Sequence, residues 1–425
     1  MKITRILAII TLVAFAALAM AGCGAKSDQQ AATVDVFQFK VEFKDAFEKL
    51  AKTYMAGHPN IKINVTTVGG GSDYGAALKA KFASGAEPTI FNIGGPQDVK
   101  DWQAKLVELG DTSAAKIAAE GTLIGSTRDG KIYGLPFCLE SYGLIYNKAI
   151  FKKAGIDTDK IKSFKALEEA VKTLDSKKAE LGIQAVFAYP MKETWVTGLH
   201  TSNAFIAAEF GDVMKTFDAK EIKFTYGSAF KKMVDLQNKF SVQPTVSMDY
   251  SKQVEELFSN GKVAMIQQGN WIYSTVAAAD KDFAQTGMGI LPFPVEGWKE
   301  DCMPVGVPMY WCVNKNKDAA AVKAATDFLD WMYTSDEGKK FCVSDFKFIP
   351  AYKGYDVSGL NDEVSKTIYK YITDNKTIPW VFMGYPTGWG MDQMGASLQK
   401  YATGNTSWDD MIKSVQKSWA GARSK

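Results

Sequence analysis

The chain has 425 residues, of which 46% are apolar, enough for two domains of ordinary globular composition. Its formal charge is only +3, so no polyanionic partner such as a nucleic acid is expected from charge. With two histidines in the whole chain, the usual base or ligand for Ser-His, Cys-His or His-metal chemistry is nearly absent, and neither a metal nor a cofactor is expected.

The amino end reads as a targeting segment. Lys2 and Arg5 form a short basic region, Ile6 to Met20 is apolar or small, and Met20-Ala21-Gly22 precedes Cys23. This is the pattern of a secretory signal over 1–22, too short and wrongly flanked to span a bilayer. Its removal leaves 48 basic against 47 acidic side chains. Residues 23–32 are small and polar, as in a flexible tether. Four further cysteines, Cys138, Cys302, Cys312 and Cys342, lack metal-ligand spacing; their disulfide state stays open.

From Val34 onward strands alternate with amphipathic helices. VDVFQF predicts an opening strand, FKDAFEKLAKTYMAGHP a helix, IKINVTTV a strand, YGAALKAKFASG a helix and TIFNIG a strand. That alternation predicts a mostly parallel α/β sheet, with ligands outside the carboxyl ends of its strands. The glycine run at 69–71 lacks the Lys-Ser/Thr ending of a phosphate loop and reads as a surface turn. A second α/β unit begins with SFKALEEAVKTLDSKKAELG, a helix capped by Ser163, and the strand IQAVFAY; residues 200–240 read as helical. VEELFSNGKVAMIQQGNW predicts helix, turn and strand. PVGVPMYWCVN predicts one strand leading into the helix DAAAVKAATDFLDWMYT, and SWDDMIKSVQKSWAG a helix from Ser407 to a glycine stop. His58, in AGHPN, is expected to be exposed.

Five segments in order resemble the family-1 extracellular solute-binding proteins of carbohydrate ABC transporters, the family of maltose-binding protein. They are the opening strand with FEKLAKTYMAGHPNIKINV, FASGAEPTI with Thr89 where Asp is common, DGKIYGLPFCLESYGLIYNKAIFKKAGI, FSNGKVAMIQQGNW, and PVGVPMYWCVN with its following helix. Met20 to Cys23 is similar to the lipobox of bacterial lipoproteins, in which Cys23 would be lipidated. The resemblance implies two α/β lobes joined by a hinge of crossing strands, of type II periplasmic-binding architecture, with the ligand cleft between them. Lobe 1 would take 33–138 and 312–355, and lobe 2 would take 143–306 and 370–425. It further implies non-catalytic capture of a di- or oligosaccharide at the outer face of the cytoplasmic membrane, by a lipid-anchored monomer serving a permease complex.

A sugar needs flat aromatic faces for its C–H surface and side chains able to bond paired hydroxyls. Trp271, after a strand end and beside Gly269, is the leading candidate platform, with Asn270 adding an amide. By resemblance, Glu140 follows the crossover strand as a ligand-contacting acid, although a hinge salt bridge explains it nearly as well, and Asp98 resembles a cleft acid, although helix capping explains it nearly as well. Lys40 and Glu42 follow the first strand, and Trp195 and Trp389 resemble second-lobe aromatics. Of Tyr310 and Trp311 alternation allows only one into the cleft. Tyr142, Gln267 and Asp392 complete the set. Competing classes are a binding protein for a polyamine, an anion or iron, and a secreted glycoside hydrolase using a carboxylate pair drawn from Glu140, Asp98 and Glu42.

Overall fold

The computed structural model describes residues 31–68 and 74–424, so the signal segment, Cys23 and the glycine run at 69–71 lie outside the described residues. Two sheets organise the chain. The first runs Ile61–Thr67, Ala32–Gln38, Ile90–Ile93, Tyr310–Val313, Leu135–Pro136. Its first three strands are parallel, so Gln38, Thr67 and Ile93 all end at the same edge. The second runs Thr377–Pro379, Met303–Gly306, Glu140–Asn147, Val263–Gly269, Ala185–Phe187, with Met288–Leu291 pairing along the rest of Glu140–Asn147.

Helices cover each sheet because their apolar stripes match. Lys44–Gly57 buries Phe47, Leu50, Ala51 and Tyr54. Phe164–Ser176 buries Leu167, Ala170, Val171 and Leu174, and starts where the Ser163 hydroxyl accepts from the Ala166 N–H at 3.2 Å. Asp318 and Ser407 cap Ala319–Thr334 and Trp408–Arg423 in the same way. Trp408–Arg423 passes through Gly421, whose missing side chain faces open space, so the expected glycine stop does not occur. His58 is half-buried, stacked on Tyr54 with ring centres 3.9 Å apart, and not exposed as expected.

PVGVPMYWCVN is two strands, not the single one expected. Met303–Gly306 belongs to the second sheet and Tyr310–Val313 to the first. Pro308, unable to donate to a ladder, stands where the chain leaves one sheet for the other. The chain makes a matching passage between Pro136 and Glu140. It makes another between Tyr352, in the first lobe's core, and Leu360, in the second's.

Away from these passages the lobes also touch. The helix Pro96–Trp102 of the first lobe lies against Phe382–Gly384 of the second. Arg423 donates to the Gln97 Oε1 at 2.8 Å and to the Gly384 carbonyl, and the Thr387 hydroxyl donates to Asp101 at 3.0 Å. Gly95 is needed here, because a Cβ would fall 2.5 Å from the Met383 Cβ and 2.7 Å from its carbonyl oxygen.

Candidate functional site

Lys40 sits just past the carboxyl end of Ala32–Gln38, at the edge where a parallel sheet presents its ligands. Its carbonyl and N–H are held by the Gln38 side chain at 2.9 and 2.7 Å, which fixes the turn. Glu140 opens the long strand of the second sheet, where the chain has just crossed from the first. The two side chains meet at 2.5 Å, with Lys40 6% and Glu140 4% exposed. Burial pulls the Lys40 ammonium down, and Glu140, aided by Glu42, more than reverses this, so Lys40 is held charged. Burial lifts the Glu140 carboxyl against the pull of Lys40.

Trp271 lies in the turn Asn270–Ile272 that follows Val263–Gly269. Its ring folds back over its own strand, which only glycine at 269 permits. A Cβ there would lie 2.2 Å from the indole and 2.3 Å from the Ser141 carbonyl oxygen. The indole N–H donates to Gln268 at 2.8 Å, and the Lys40 ammonium stands 5.5 Å from the ring centre. One lobe thus offers a cation to the aromatic face of the other. Asn270 accepts from the Ser141 N–H at 3.1 Å, tying the platform turn to the first residues of the long strand. Trp195 meets Trp271 edge-on at 6.1 Å, with its N–H donating to Glu193 at 2.8 Å. A narrow pocket of about 10 Å³, room for a single water, lies between Phe43, Glu140, Asn270, Trp271, Tyr273, Lys347 and Phe348.

The structure therefore brings Lys40, Glu140, Trp271, Asn270 and Trp195 together, with Glu42 half-exposed beside them. Other candidates are placed elsewhere. Trp389 is core: its N–H donates to the Val415 carbonyl at 3.0 Å and to Ser418 at 2.9 Å under Trp408–Arg423. Both Tyr310 and Trp311 are buried on opposite faces of the first sheet, so neither lines the pocket. Tyr310 donates to the Thr122 carbonyl and Trp311 to the Tyr333 hydroxyl. Tyr142 is a buried support whose hydroxyl donates to the His200 carbonyl. Asp98 accepts from the Gly94 N–H at 2.7 Å, the helix-start role, and burial raises its carboxyl. Gln267 is spent on Thr201 and Gln237, and Asp392 is exposed.

Sequence reading missed the pocket residues Phe43, Tyr273 and Phe348, which carry no local signal, and it missed His200. The His200 ring stacks on Tyr142 at 4.5 Å and lies 5.3 Å from both Trp271 and Trp195. Burial, with Lys40 facing it, lowers its pKa to about 3. The folded protein therefore keeps it neutral, while the unfolded chain takes up a proton below about pH 6.5. Stability from this group is full above that pH and is lost as the pH falls towards 3, by roughly 1.4 kcal/mol per unit. Urea unfolding at pH 6.5 and 4.5 should show this acid loss in the native protein and its absence in His200→Gln. Equal slopes would contradict it.

The four cysteines of the described residues are free thiols. No helix among the described residues is long and apolar enough to cross a membrane.

Comparison with known proteins bears on the family and the fold. A multiple sugar-binding protein of Streptococcus mutans is 23% identical over 315 residues, 69% of this chain and 70% of the relative. A maltooligosaccharide ABC transporter solute-binding lipoprotein of Streptococcus pneumoniae is 26% identical over 403 residues, 89% and 88% of the two chains. Among solved structures, the solute-binding protein RafE in complex with raffinose has a TM-score of 0.76 at 18% identity, covering 92% of this chain and all of that one. A chitin oligosaccharide binding protein also has a TM-score of 0.76, at 22% identity, covering 92% and 99%. The fold is accordingly that of two-lobed solute-binding proteins. The profile of the bacterial extracellular solute-binding protein family matches residues 40–339, most of the chain, and the chain belongs to that family.

Proposed function

We propose that the protein captures a di- or oligosaccharide outside the cytoplasmic membrane and delivers it to an ABC transporter permease, without converting it chemically. The observation that carries this reading is the Trp271 face set against the Lys40–Glu140 pair where the two lobes meet. An aromatic plane beside groups that donate and accept is what a sugar ring with its hydroxyl rim requires. Related proteins named for multiple sugars and maltooligosaccharides support the same ligand class. In this reading Cys23 carries the lipid that anchors a monomer to the outer face of the membrane, and lobe closure is the signal the permease reads. Lobe 1 comprises 33–138 and 312–355, and lobe 2 comprises 143–306 and 370–425.

Titration of intrinsic fluorescence against mono- and oligosaccharides tests the reading; a flat response to all of them would end it. Closure has its own test at Gly95. Gly95→Ala places a methyl group against the Met383 backbone, which moves only if the lobes part. Affinity should fall by about tenfold although residue 95 is outside the Trp271 pocket, because the ligand must then work against strain in the closed form. Small-angle scattering with saturating sugar should show a larger radius than for the native protein, and an unchanged radius and affinity would refute it.

A further inference from the structure

His200 has an unusual place for one of only two histidines in the chain. It projects from the wide helical turn Val196–Thr201, a geometry that recurs at functional sites. Aromatic rings surround it: Tyr142 and Trp271, with Trp195, Trp380 and Phe382, at centre distances from 4.5 to 5.4 Å. The residue is 7% exposed, and its Nδ1 has no hydrogen-bond partner among the described residues. In the same cluster the Trp380 Nε1 is also buried without a partner. A buried polar atom left unpaired costs about 1–3 kcal/mol, and aromatic carbons cannot repay it. Two such atoms beside one aromatic platform need a reason that packing does not supply.

We propose that His200 is a ligand-binding residue, its imidazole exchanging a hydrogen bond with a hydroxyl of an electrically neutral carbohydrate bound against Trp271. The inference rests on the sugar-capture reading and narrows it. A neutral imidazole has one donor and one acceptor nitrogen, and a hydroxyl can satisfy either. The buried charges around it cancel: Lys40 faces His200 and is paired with Glu140, while Glu42 is half-exposed to water. Buried against His200, a uronate or a polyamine would be desolvated beside charges that are already paired, whereas an uncharged polyol would not.

The test is calorimetric titration of the native protein, His200→Phe and His200→Gln. The probes are maltotriose, raffinose, xylotriose and chitotriose, with trigalacturonate and spermidine as charged controls. We expect a neutral sugar to bind best. His200→Phe, which keeps an aromatic ring in the cluster, should weaken it about tenfold or more, and His200→Gln, which keeps a donor and an acceptor, by a smaller factor. Melting curves at neutral pH separate binding from folding. Should His200→Phe not fold, the imidazole ¹⁵N resonances of the native protein serve instead, and Nδ1 must shift when sugar is added. Native affinity in folded His200→Phe, or an unmoved Nδ1 resonance, overturns the role of His200 and leaves sugar capture standing. Preference for trigalacturonate or spermidine overturns the neutral-ligand assignment. Binding of none of the sugars removes both readings together.

Discussion

Trp271→Ala is expected to weaken sugar binding by about 100-fold or more, the largest effect of any single change in the pocket. The indole supplies the flat face, and its position depends on three contacts described above: the Gln268 side-chain Oε1, the ring of His200 and the Lys40 ammonium. Truncation removes the platform and one of the three rings around the Lys40 ammonium. It also opens a cavity against Trp195 and His200, so the variant should melt lower than the native protein by an amount set by roughly 3–5 kcal/mol at most. Because that cavity lies at the rim of the second lobe and not at its centre, the fold should survive. Trp271→Phe, which keeps a smaller face and loses the N–H, should fall between the two. Calorimetry and thermal melts on the three proteins check this. A folded Trp271→Ala with native affinity would reduce Trp271 to a packing residue.

Lys40→Met should produce the second largest effect, by a different route. It leaves the Glu140 carboxylate buried at the seam with no cation, a cost of about 3–5 kcal/mol that falls on the closed arrangement. With the lobes apart, water can reach the carboxylate, so the open arrangement is spared. The substitution therefore moves the lobe equilibrium towards open, and affinity should fall by about 100-fold. The double variant Lys40→Met with Glu140→Gln removes both charges and should recover part of the loss. Two substitutions that act on one pair do not add. Scattering without ligand should show Lys40→Met as the more extended protein. Additive losses in the double variant would mean that the two side chains work separately.

How much of this was legible in the sequence depended on how local each cause is. The Trp271 turn was legible because strand, glycine and indole are contiguous, and the conformation follows from neighbours. Lys40 and Glu140 were legible singly, as residues beyond strand ends, but their pairing joins two lobes and no local pattern records it. Trp389 misled for the opposite reason. Its neighbours in GYPTGWG look like an exposed turn, while its burial comes from Trp408–Arg423, which lies elsewhere in the chain. Tyr310 and Trp311 fell to the assumption that one face of their strand meets the cleft. Their sheet is covered on both faces, so alternation sends one ring into each of two cores. His200 was missed because a histidine in a helical segment has no sequence mark that separates an aromatic cage from ordinary packing.

The strand Tyr310–Val313 lies inside the first sheet, between Ile90–Ile93 and Leu135–Pro136, although it is made long after both. The first lobe can therefore close its sheet only when most of the chain has left the ribosome. The second lobe waits longer, for Thr377–Pro379 at its edge. Pairings this distant in sequence carry a loop-closure cost that must be met before they are rewarded, so they form slowly. A chain built this way reaches neither finished half early. Such lateness leaves the chain open and unlocked through most of its synthesis.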